Sequence, residues 1–120
     1  MVEDHDPLAW LGALLMTAYE VLGKLMGRLP VPISLPIPEG PDGPDAVEAI
    51  TRARAALRDQ PMDDITRSMI DRMCLEWLTV LDLGAMVRLA GAEEWRLEAM
   101  SYGINRCFAL AEVVGPRLEE

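Results

Sequence analysis

The chain has one histidine, one lysine and one phenylalanine among 120 residues, and aromatics make up only 5% of it. A single histidine excludes the di-metal sites of helical bundles, which need a Glu-x-x-His pair on each of two helices. It also leaves Thr17, Ser68 and Ser101 with no base to activate them as nucleophiles. That histidine, His5, stands between Asp4 and Asp6, within residues 1–5, which read as a disordered tail. The two cysteines, Cys74 and Cys107, each fall inside an apolar helical pattern. Without a Cys-x-x-Cys or Cys/His spacing they read as buried, reduced thiols rather than zinc ligands. No Gly-rich phosphate loop, Walker sequence or Gly-x-Ser-x-Gly elbow occurs. The expectation is no catalytic residue, no metal and no cofactor.

Positive charge is scarce as well. Lys24 is the only lysine among 11 basic residues, and the net charge is −9. Nucleic-acid binding and adhesion to anionic membranes both rest on Lys and Arg, so neither partner is expected. The preference for arginine over lysine suits a GC-rich genome. An acidic start, Met-Val-Glu-Asp-His-Asp, lacks the positive region of a signal peptide. The longest uncharged run, Pro7 to Tyr19, is shorter than the roughly 20 residues of a bilayer span. A cytoplasmic location follows as an expectation. Hydrophobic residues are 51% of the chain and eight are methionine. One aliphatic, methionine-rich core of helix on helix suits that balance.

What is present in excess is proline, in one place. Residues 30–44 hold six of the nine prolines, at positions 30, 32, 36, 38, 41 and 44. Proline lacks the helical N–H and turns the preceding residue extended, so this stretch separates helices. Read as a strand, Val31, Ile33, Leu35 and Ile37 point one way, a one-sided apolar ribbon. At about 3.1 Å per residue it reaches roughly 45 Å. The first helix, at about 1.5 Å per residue, spans roughly 35 Å. Three roles are open to it: a packed crossing, a swapped arm and a lid.

The rest is helical, and the expected fold is all-α: a four-helix bundle, with three long helices and one short, across one domain of 1–120. Helix 1 starts at Asp6 as N-cap with Pro7 at N1 and runs to about Leu29. Thr17, Glu20, Lys24 and Arg28 form its one polar stripe, and Gly23 and Gly27 suggest a close helix approach. Helix 2 runs from about Asp45 to Asp59, burying Val47, Ile50 and Leu57, with Glu48 and Arg52 as an i,i+4 pair. Helix 3 runs from Pro61 or Met62 to Ala90, with Gly91 as C-cap. Its buried face reads Ile65, Met69, Met73, Trp77, Val80, Gly84 and Val87. Helix 4 runs from about Ala92 to Val114, stopped by Gly115-Pro116. It carries two stripes: Leu97, Met100, Ile104, Phe108 and Ala111, and nearly opposite them Trp95, Ala99, Tyr102, Ala109 and Val113.

Two apolar stripes on one helix need two partners. A bundle gives each helix one inward face, so the surplus points to a homodimer. The expected interface is Val31, Ile33, Leu35, Ile37, Trp95, Tyr102 and Val113, with Arg106 continuing the aromatic stripe. The alternative is a bundle that binds an apolar small molecule, or a small enzyme. Its pocket would use Trp10, Tyr19, Glu76, Trp77, Tyr102 and Arg106. Glu76 falls on an apolar face, where a carboxylate must find a partner, and Arg72 is one turn away. Asp82 and Arg88 are expected to meet Lys24, Arg28 or Arg106. Tyr102, Asn105 and Arg106 suit either an acidic ligand or a dimer register. Arg52, Arg54 and Arg58 read as a solvated patch pairing with Glu48 and Asp59, or as a site for an acidic segment. The leading reading is a non-enzymatic helical interaction protein.

Overall fold

A computed structural model describes residues 6–36 and 44–119. Four helices follow in order: α1 Pro7–Gly27, α2 Pro44–Leu57, α3 Asp64–Ala90 and α4 Glu94–Leu118. No strand occurs among the described residues. α1, α3 and α4 pack on one another, and α2 lies along α3. The molecule is elongated, 51 × 25 × 23 Å.

Caps explain most of the boundaries. Asp6 accepts hydrogen bonds from the N–H groups of Leu8 and Ala9 at 3.1 and 3.4 Å, which holds Pro7 in the first turn. Gly91 ends α3 at φ 115°, donating its N–H to the Val87 carbonyl. α3 starts later than Pro61 or Met62 because Asp63 is the N-cap, accepting from the Thr66 N–H and hydroxyl at 2.9 Å each. α4 corrects the expected stop: it continues through Gly115 and Pro116 to Leu118. Tertiary contacts hold this last turn. Arg117 donates to Thr66 Oγ1 at 2.8 Å, Glu119 pairs with Arg28 at 3.3 Å, and Leu118 packs against the core.

The core forms around Trp77, which is 1% exposed. Its indole N–H donates to the Leu15 carbonyl at 2.8 Å, and its ring lies 5.5 Å from that of Tyr19. Leu22, Met26, Ile70, Met73, Val80 and Ile104 belong to the same buried cluster. On α3 the buried face runs Thr66, Ile70, Met73, Trp77, Val80, and Ile65 is 60% exposed, against expectation. Alternating steps of four and three stay on one face, whereas Met73, Met69, Ile65 repeats a step of four and drifts around the helix. On α2 the buried residues are Ala46, Ile50, Ala53 and Leu57, and Val47 is exposed. The two alanines let α2 lie close to α3. Gly23 and Gly27 do not serve a close helix approach. A Cβ placed at Gly23 would stand 3.7 Å from Leu35 Cβ, an ordinary contact, and one placed at Gly27 would meet nothing within 4 Å.

The connection after α1 turns and bends over residues 28–31 and is without helix or strand over 32–36. Ile33 donates its N–H to the Met26 carbonyl at 3.0 Å, and Tyr19 donates its hydroxyl to the Pro36 carbonyl at 2.6 Å. Burial raises the Tyr19 phenol above its ordinary value. Gln60, itself buried, clamps Val31 on both sides: it accepts from the Val31 N–H at 2.9 Å and donates to the Val31 carbonyl at 2.7 Å. Ile33 and Leu35 pack on the core as the alternation implies, but Val31 is exposed. Ile37 and Pro38, the tail at 1–5 and His5 lie outside the described residues.

α1 is long and apolar enough to cross a membrane by length and composition, although it carries Glu20 and Lys24. The uncharged run Pro7 to Tyr19 therefore understated it. Here Leu11, Leu15, Ala18, Tyr19, Leu22, Leu25 and Met26 are buried in the bundle, and 33% of the apolar window is buried.

Replacing Gln60 with Ala strips both bonds from Val31. The expected loss is about 1–3 kcal/mol, read as a lower urea midpoint, with faster amide exchange at Ile33. Unchanged values of both contradict the clamp. Asp63 supplies a pH test. Hydrogen bonds from Thr66, with Arg117 adding attraction, hold its carboxyl below the ordinary value. A lowered native value means its contribution is present above the ordinary carboxylate range and disappears as pH falls through the native value. The stability difference between the parent and Asp63→Ala is therefore expected to shrink from about pH 6 to about pH 3.

Candidate functional site

α4 turns Met100, Gly103, Ile104, Cys107 and Val114 to the core. At 100° per residue the opposite face then carries Glu98, Tyr102, Asn105 and Ala109, with Trp95, Val113 and Arg106 to one side of them. Trp95, Tyr102 and Val113 are 59%, 60% and 48% exposed. The Arg96 guanidinium lies 4.6 Å from the Trp95 ring centroid and covers part of one face.

Glu76 sits where α3 meets α4. Its carboxylate accepts two bonds from Arg106, from Nε at 2.8 Å and Nη2 at 3.0 Å. The partner is thus Arg106 on α4, not Arg72 on the same helix. The Glu76 side chain is only 13% exposed while that of Arg106 is 54% exposed. The forked pair therefore anchors a guanidinium plane at the surface beside Tyr102. Hydrogen bonding to Glu76 raises the Arg106 guanidinium above its ordinary value. Gly103 makes this approach possible: a Cβ there would stand 2.5 Å from Val80 Cγ2 and 3.6 Å from Glu76 Oε1. A glycine in mid-helix is the sequence signal for such contact, and Gly103 was not among the expected site residues.

A second feature is a cleft of about 400 Å³ between α1 and the extended segment. Met16, Tyr19, Gly23, Ile33 and Leu35 line it, with Glu20 and Lys24 as charged groups. A third is a trough on α3 beyond the start of α2, lined by Val47, Leu75, Leu78, Asp82, Ala85 and Arg88. Asp82 and Arg88 thus face the α2 side of α3, and two of their expected partners are engaged elsewhere: Arg28 pairs with Glu119 and Arg106 with Glu76. Arg52 pairs with Glu48 at 2.8 Å, as the spacing implies, but Arg54 reaches across to Asp71 at 2.7 Å. That bond raises the Arg54 guanidinium.

The expected pocket residues separate into three places. Tyr19 and Trp77 meet in the core, Glu76, Arg106 and Tyr102 share the α3–α4 surface, and Trp10 stands on the exposed face of α1. Of the expected interface residues, Trp95, Tyr102 and Val113 share the outer face of α4, whereas Ile33 and Leu35 cover α1. Gln60, Thr66 and Arg117 were also missed; as polar residues at turns and helix ends they carry no periodic signal. Burial pushes the Cys74 and Cys107 thiols up to about 12, as for inert core residues. Among the described residues no three His, Cys, Asp or Glu side chains gather as a metal site requires.

Compared with known proteins, the chain matches no family model, no curated protein and no solved structure.

Gly103→Ala is expected to lower stability by about 1–3 kcal/mol through overpacking. Combined with Val80→Ala, the loss should be smaller than the sum of the two single losses, measured by urea unfolding of all four proteins. Simple additivity contradicts the close contact.

Proposed function

We propose that the chain is a non-enzymatic helical assembly protein, acting in the cytoplasm as a homodimer through the outer face of α4. The observation that carries this reading is the set of three large apolar side chains, Trp95, Tyr102 and Val113, exposed opposite the core on one helix. A monomer with no partner for that face leaves it in water, and aromatic and arginine side chains are the groups that dominate interface centres. The Pro-rich connection belongs to this reading as a packed crossing that covers α1, since Gln60, Met26 and Tyr19 hold its described part to the same chain.

A second reading rests on the cleft beneath Leu35. Its volume and its apolar lining with two charged groups suit a small apolar molecule. Glu76 lies outside its lining, so any such ligand would meet Lys24 and Glu20 instead.

Sedimentation equilibrium separates the two. The homodimer reading expects the apparent mass to rise from 13.3 kDa towards twice that value with concentration. Trp95→Ala with Tyr102→Ala should restore the monomer without loss of helix content. The ligand reading expects a monomer that enhances the fluorescence of an apolar dye, an effect that Gly23→Leu abolishes by filling the cleft.

A further inference from the structure

We infer that α2 is a detachable cover on α3, which undocks as a unit while α1, α3 and α4 stay folded. The helix is attached along one narrow strip: Ala46, Ile50, Ala53 and Leu57 are buried. Spacings of four, three and four keep them on one face. Two of the four are alanine, which has little apolar area to bury. Open space borders the strip on both flanks. On one, a cleft of about 410 Å³ parts α2 from Ile33, Ser34 and Pro36. On the other, the trough begins at Val47. Of the three long helices, it is α3 that α2 lies along. The Arg54–Asp71 ion pair that joins them at 2.7 Å has side chains 27% and 37% exposed, so water weakens it. α2 has 14 residues, a length at which an isolated helix is marginal in water. Its helical form therefore depends on this docking.

The rest of the bundle is held without α2. Trp77 bonds to Leu15, Tyr19 packs against Trp77, and Glu76 holds Arg106. Residues 31–36 are fastened by Gln60, Met26 and Tyr19. Undocking has a defined consequence on α3. Asp71, Leu75, Leu78, Asp82 and Ala85 recur at spacings of four, three, four and three, so they share one side of the helix. Arg54 of α2 reaches the start of this row, and from Leu75 onward the row lines the open trough. Loss of α2 joins the two parts into one exposed strip of about 21 Å, at about 1.5 Å per residue. The docking of α2 thus sets how much of α3 is exposed, whatever lies against α4.

The two cysteines report on this opening. After burial, the first groups that act on the Cys74 thiol are Asp71 and Arg54, the pair that joins α2 to α3. For Cys107 they are Glu76 and Arg106, at the α3–α4 contact. The full-length reduced protein is treated with iodoacetamide under native conditions, and each cysteine is followed by peptide mass spectrometry. Cys74 is expected to react about tenfold or more faster than Cys107, as a local opening outpaces global unfolding. Ile50→Ala weakens the α2 contact and should speed Cys74 labelling by about 30-fold or more, with Cys107 unchanged. Equal rates at the two cysteines, or a variant that speeds both alike, overturn the proposal, because α2 then leaves α3 only when the whole chain unfolds. Amide exchange of the parent needs no variant. Amides of residues 50–57 should exchange through a common opening about tenfold or more faster than those of residues 70–80. Equal protection of the two sets overturns the proposal as well.

Discussion

The fold depends on how α1 is covered. It is the most apolar helix of the chain, and one continuous line of contacts settles its surroundings: Trp77 of α3 donates to the Leu15 carbonyl, the Tyr19 ring packs at a tilt against Trp77, and Tyr19 in turn donates to the Pro36 carbonyl. One side of α1 thereby meets α3 and α4, and another meets the extended segment. The aromatic pair has two roles in this arrangement. It fills the core and uses its two polar atoms to fix backbone on either side. Ile33 and Leu35 then cover apolar surface that a fourth helix would otherwise cover, and α2 is left to pack on α3.

The α3–α4 contact is set by size and then by charge. Gly103 allows Val80 to approach, and that approach brings Glu76 within reach of Arg106. A half-buried carboxylate needs such a partner. The partner has a consequence outside the core, since it holds a guanidinium plane on the helix face that also carries Tyr102. The same packing that buries Ile104 and Cys107 turns Trp95, Tyr102 and Val113 outward. The assembly reading follows from that opposition of faces.

Much of this was legible from residue order. Asp6-Pro7 marked one helix start and Gly91 one helix end, because caps need those residue types locally. The two faces of α4 followed from periodicity. Periodicity failed where a run of fourfold steps drifts, which puts Ile65 inside although it is exposed and passes over the buried Thr66. It failed again where burial selects small residues: Ala46 and Ala53 are core, and Val47 is not. Pairings between helices were out of reach. Glu76 with Arg106, Arg54 with Asp71 and Gln60 with Val31 join residues 30, 17 and 29 positions apart, and no local rule ranks such partners. Pro116 misled for the same reason, since its helical turn is held by Arg117 reaching Thr66.

Three tryptophans stand in three environments: Trp77 buried and bonded to Leu15, Trp10 on α1, and Trp95 on the outer face of α4. Their indole N–H resonances, followed by NMR from micromolar to millimolar protein, test the account most directly. Association through α4 moves the Trp95 signal with concentration while Trp77 and Trp10 stay fixed. Movement of Trp10 without Trp95, or no movement of Trp95 across the series, would contradict it.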